Sequence, residues 1–309
     1  MRNYRPHEFS YRKPAVNAVV LTALQALRTT NYELKIRTVG GYMAKVSEES
    51  RLQFSRSVKP YKEKIKEMLN AEKAALNAAA ANKAEAPYKK IELCADMIYI
   101  ASLYMAQNTL SLNILEVKNN DALNDARKIL YKAIIYLEDI VTNIIDLPYS
   151  ELADKHEALA KESLVNRYYL IRKLGFTINL LELAFGENSK WKWSFVELKG
   201  RFAVVAKNFI DMRNSVKAYF DPNNDEYETT VLYVRLISKL LDASASGYRD
   251  KYELSTRRID DMRNGIKFLL AKHKLLIAIS DKDNAEEIKK KAIVWKEKMD
   301  ADQKSGSSR

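Results

Sequence analysis

Apolar residues recur three and four positions apart over most of this chain, and the recurrence is seldom interrupted. Glycine occurs 8 times and proline 6 times in 309 residues. Both break regular structure, glycine through backbone entropy and proline through its missing N–H and ring clash. The prolines, at 6, 14, 60, 87, 148 and 222, fall where the periodic stretches begin or end. The pattern predicts an all-α protein, a bundle of long antiparallel helices or an elongated stack of them.

Along the chain, Pro14 opens a helix with Val16, Val19, Val20, Ala23, Leu24 and Leu27 on one stripe, and Gly40-Gly41 reads as a turn or hinge. Residues 44–82 are helical but weakly amphipathic, kinked or split at Pro60 and alanine-rich from Ala74 to Ala81. Alanine favours helix yet buries little area, so this segment is expected to project as a loosely anchored arm. A helix over 88–117 follows, then one that starts at Asp121 and repeats Leu123, Leu130, Leu137 and Ile144 until Pro148. A third long helix is expected from Ser150 to Phe185, closed by Gly186.

From Ser189, the residues Phe195, Leu198, Phe202, Val205, Phe209, Met212, Val216 and Tyr219 alternate steps of three and four. This predicts one unbroken helix with a coiled-coil seam. Asp221-Pro222-Asn223-Asn224 is a turn, because Asp suits its first position and Pro its second. Helices over 227–246, 250–279 and 283–302 complete the pattern, before a disordered serine-rich end at 303–309. The chain thus divides into a basic tail and peripheral arm (1–86), a helical body (87–280), and a C-terminal docking helix with its tail (281–309).

Recognisable catalytic chemistry is missing from this pattern. The three histidines, His7, His156 and His273, lack the Glu-x-x-His spacing of carboxylate di-iron bundles and the spacing of a zinc pair. His156 and His273, flanked by charged residues, read as surface or boundary histidines. Cys94 is a single cysteine within an apolar run, so it reads as a small core residue in a reducing compartment. No strand precedes Gly40-Gly41, so it does not form a phosphate loop. No cofactor, metal or small-molecule substrate is expected, and the chain reads as a non-enzyme. Met97–Leu115 carries no charge over nineteen residues, but Ser102, Gln107, Asn108, Thr109, Ser111 and Asn113 make it a buried helix rather than a membrane span.

Charge changes this picture. The net charge is +12, and it is uneven. Residues 1–90 hold 18 Lys/Arg against 8 Asp/Glu, whereas residues 91–188 hold 9 against 14. A basic first third beside an acidic middle suits internal pairing, self-association or an acidic partner. Candidate contact residues are Arg2, Tyr4, Arg5, Tyr11, Arg12 and Lys13 in the arm, and Arg51, Arg56, Lys59 and Lys62 in the next basic stretch. Trp191, Trp193 and Trp295 are candidate interface anchors, since large aromatics with a polar edge dominate many interfaces.

The expected function is therefore a cytoplasmic helical scaffold or assembly subunit that acts through protein–protein contacts and self-associates. The alternative is nucleic-acid binding through residues 1–66, where arginines and aromatics suit phosphate contact and stacking. A membrane-surface bundle ranks third, because the basic stretch lacks a strong apolar face.

Overall fold

In the computed structural model of the chain, the described residues are 46–186 and 189–306. They form an all-α fold of ten helices, with no strand among them. The first three helices are α1 (Glu48–Ala81), α2 (Ala86–Leu115) and α3 (Asn120–Ile140). Connections of four residues between helices that lie along each other leave only antiparallel packing. The 1–13 arm, the helix expected after Pro14 and the Gly40-Gly41 hinge lie outside the described residues.

α1 corrects the expectation of a loosely anchored arm. Its N-terminus is capped by Ser47, whose hydroxyl accepts the Ser50 N–H at 3.0 Å, with Glu48 and Glu49 complementing the helix dipole. It runs unsplit through Pro60, which is exposed, so the Arg56 carbonyl left without a donor faces water. Val58, Ile65, Glu72 and Ala79 are buried at seven-residue intervals on a helix packed along α2, and Glu72 also reaches α3. The buried Glu72 carboxylate is satisfied by the Tyr136 hydroxyl and the Lys132 ammonium of α3. A sparse seam with one polar lock anchors this helix.

Two polar residues of α2, Asn108 and Ser111, serve its turn into α3. Asn108 Oδ1 accepts the Asn119 N–H at 2.9 Å, Ser111 Oγ donates to the Val117 carbonyl at 2.7 Å, and Asn119 Oδ1 caps α3 at Ala122. No helix among the described residues is long and apolar enough to cross a membrane.

α3 ends at Ile140, so the expected helix to Pro148 stops early and Ile144 is exposed. The expected long helix from Ser150 is likewise broken. It comprises a short 3₁₀ turn, α4 (Ala153–Glu157), an irregular stretch, and α5 (Leu164–Phe185) capped by Ser163. α5 closes at Gly186, whose φ of +86° lies in the region glycine tolerates.

α6 (Lys192–Phe209) lies at the centre, against α3, α5 and α8 (Tyr227–Lys251). The predicted unbroken seam fails at Ile210, which is extended at φ −88°, ψ 133°, and α7 (Met212–Tyr219) is a separate helix. Every residue from Phe202 to Ile210 is buried, Lys207 and Asn208 included, so this half of α6 is enclosed rather than striped. Its polar groups pin the irregular 141–149 segment. Asn208 Nδ2 donates to the Thr142 and Ile144 carbonyls at 3.3 and 3.2 Å, and Lys207 Nζ donates to the Leu147 carbonyl at 3.1 Å. The broken end of α6 is received by Arg167 of α5, whose Nη1 lies 3.4 Å from the Phe209 carbonyl.

The predicted turn forms as expected: Asn224 N–H donates to the Asp221 carbonyl at 3.0 Å and Asn223 N–H to Asp221 Oδ1 at 3.0 Å. α8 leads through a π-turn to α9 (Ile259–Ala278), along which α10 (Lys282–Gly306) docks with Ala285, Ala292, Trp295 and Met299 buried. α10 extends past the expected end at 302 into what reads as a disordered tail.

Candidate partner-binding groove

α5 is apolar on more than one face. Its inner stripe, with Leu164, Ile171, Leu174, Ile178, Leu181 and Phe185, is buried in the core. Outside that stripe, Tyr169 (52%), Phe176 (41%) and Leu183 (64%) are exposed at seven-residue intervals, with Val165 one turn before them. Seven residues make two turns, so the three side chains form one line along the helix. The same outer side carries exposed Asn166, Arg172, Lys173 and Asn179, so the apolar line is edged by polar side chains.

Along that line, with Tyr169 and Phe176 in its wall, runs a groove of about 790 Å³ bounded by α5, α6 and α8. Two glycines bring the helices together at its base. A Cβ on Gly175 would stand 2.7 Å from the Phe202 ring, and one on Gly247 would stand 3.4 Å from Val196. The Phe202 ring and the side chains of Ile178, Val196 and Leu240 supply apolar lining. The rim is cationic: Arg172 and Lys173 on α5, Lys192 and Lys199 on α6, and Lys239 on α8. The one acid in the lining, Glu182, is paired with Lys199.

A second cavity of about 720 Å³ lies near the break after α6, lined by His156, Glu162, Arg167, Asp211, Arg213 and Lys217 among others. His156, expected at the surface or its boundary, is buried and in contact with Arg167. Arg167 Nη1 lies 3.3 Å from His156 Nδ1. Since a guanidinium only donates, Nδ1 is the acceptor and a neutral ring carries its proton on Nε2. Burial, reinforced by the Arg167 charge and opposed by Asp211, pushes the His156 pKa down to about 4. Arg167 also donates to the carbonyls of Leu159 (2.6 Å) and Glu162 (3.2 Å). Four acids face three cations in this lining, and the guanidinium holds the irregular segment in place. The cluster reads as structural.

The sequence-predicted contact residues are scattered. Arg2, Tyr4, Arg5, Tyr11, Arg12 and Lys13 lie outside the described residues. Arg51, Arg56, Lys59 and Lys62 are exposed on α1, with Lys59 near Glu63 at 3.9 Å. Trp191 is half-buried, its ring edge on Phe185 and under the Arg127 guanidinium at 4.2 Å. Trp193 is half-buried beside Lys192. Trp295 is buried, with Arg249 over its ring at 4.9 Å, so its stripe docks on this chain's own body and leaves no anchor. None of these residues lines the groove. Sequence reasoning missed Tyr169, Phe176 and Leu183, although their seven-residue spacing, added to a full inner stripe, was a readable signal.

Cys94 is fully buried and free, and burial raises its thiol pKa well above the ordinary value. Among the described residues no three His, Cys, Asp or Glu side chains cluster to hold a metal ion. Fold and groove together define an all-α helical bundle whose α5 carries an open apolar face. The chain belongs to the TP0443 family, whose model matches residues 50–303, from the first turn of α1 to the last turns of α10. No curated protein and no solved structure matches it.

Proposed function

We propose that the chain is a non-enzymatic helical scaffold that works through protein–protein contacts, receiving a helix of another protein across the outer face of α5. One observation carries this reading: Tyr169, Phe176 and Leu183 stand exposed in a helical line that nothing in the described chain covers. Burying an apolar side chain of this size is worth roughly 1.5–3 kcal/mol, so a matching helix gains affinity from each. The groove runs along the line, which suits helix-in-groove recognition. Self-association is a separate part of the proposal. It is motivated by the excess of Lys/Arg in residues 1–90 and of Asp/Glu in 91–188, and it would weaken as salt screens the charges.

The test is the size of the native complex, read by gel filtration of extracts from cells expressing the wild type or Phe176→Asp/Leu183→Asp. The wild type should elute above its monomer mass and the double variant at it. Identical elution of the two proteins overturns the reading.

A further inference from the structure

We infer that the partner element is an acidic amphipathic helix of a different protein, seated with its apolar residues on the α5 line and its carboxylates on the cationic rim. This rests on the reading of α5 as a contact face.

The apolar half of the inference comes from geometry. Tyr169 to Leu183 spans fourteen residues, about 21 Å at the usual helical rise. A facing helix that repeats an apolar residue every three or four positions matches that line in register. A small amphiphile or lipid tail inside the groove would touch Phe176, which lines it, but leave Leu183, which does not, in water. A helix can cover both.

The polar half comes from charge. Arg172, Lys173, Lys192 and Lys239 ring the groove, and Glu182 is already neutralised by Lys199. A basic helix would be repelled at every turn, whereas one bearing glutamates or aspartates finds a cation on each side. This chain is a poor source of such a helix. Its net charge is +12, and the segment outside the described N-terminal boundary belongs to its most basic third. Complementarity of this kind sets association rate and specificity and fades with salt.

The experiment uses the full chain and two labelled 18-residue peptides with identical leucine spacing, one with glutamates on its polar face and one with lysines. Fluorescence anisotropy should show saturable binding of the acidic peptide, about tenfold weaker at 300 mM than at 50 mM salt, and none of the basic one. Arg172→Glu/Lys239→Glu and Phe176→Asp/Leu183→Asp should each weaken binding at least about tenfold. Both variants should keep the wild-type melting temperature, which separates lost contact from lost fold.

Equal binding of the two peptides, or wild-type affinity in the charge variant, overturns the proposal. So does saturable uptake of oleate or anionic vesicles with no peptide binding, which would give the groove to lipid. If neither peptide binds while Phe176→Asp/Leu183→Asp still dissolves the native complex, the partner's chemistry is wrong and the contact face stands. If the complex also survives, both readings fall.

Discussion

The enclosed half of α6 and the open face of α5 misplace their residues in opposite senses. α6 buries polar side chains, Lys207 and Asn208, at the centre of the molecule. α5 exposes large apolar ones, Tyr169, Phe176 and Leu183. The first anomaly is answered inside the chain, because three carbonyls of the 142–147 segment accept from those two side chains. The Asn208 amide nitrogen is hydrogen-bonded and so costs less than an unpaired group, whereas the Lys207 charge keeps a burial cost; together they fix a stretch that has no helix of its own. The second anomaly finds no such answer among the described residues. The contrast teaches where to look for function: the exception that the fold does not use.

Four variants test this contrast. The largest effect should come from Phe209→Ala in the enclosed half, which removes a fully buried ring and should cost about 3–5 kcal/mol by urea unfolding. Asn208→Ala should cost about 1–3 kcal/mol, because the Thr142 and Ile144 carbonyls lose their donor. Exchange of the 141–147 amides should accelerate in that variant more than elsewhere.

Lys207 gives a pH signature. Burial, with Lys274 adding repulsion and Asp146 opposing it, lowers the Lys207 pKa from 10.5 to about 8. The unfolded chain therefore binds more protons between these values, and stability from this group rises as pH climbs through that window. Below it the cost of burying the charge is present in full. Measured at pH 7.5 and 9.5, wild type should gain about 2 kcal/mol relative to Lys207→Met. A flat difference would show that the ammonium is not buried as described.

The smallest effect should be on the open face. Phe176→Asp/Leu183→Asp should leave the unfolding free energy within about 0.5 kcal/mol of wild type, since exposed positions away from special contacts rarely matter more. A loss of several kcal/mol would mean that the line belongs to the fold.

How far the sequence could be read depended on whether a signal was local. The end of α5 at Gly186, the turn at Asp221 and Pro222, and the burial of α2 followed from residues acting on their neighbours. The end of α3 and the break at Ile210 did not, because Ile144 and Met212 kept the apolar period past the point where the helix stopped. In both places the deciding contacts come from distant residues, Asn208, Lys207 and Arg167, which reward an irregular backbone with hydrogen bonds. α1 was misjudged for a similar reason. Its few apolar positions look weak until Glu72 is seen locked to Lys132 and Tyr136. The groove itself is a product of how three helices diverge, and no residue announces it.

The position of α1 also changes how nucleic-acid binding should be tested. Removing residues 1–86 would strip Ile65 and Glu72 from the core along with the basic residues. Charge reversal at exposed Lys59 and Lys62 addresses the same question in an intact fold.

The most direct test of the account places a photoreactive benzoylphenylalanine at position 176 in cells that express the chain, with the same residue at exposed Glu151 as control. The account predicts discrete protein adducts at 176, mapping to an acidic helical segment, and none at 151. Sparse and equal labelling at both positions would contradict it.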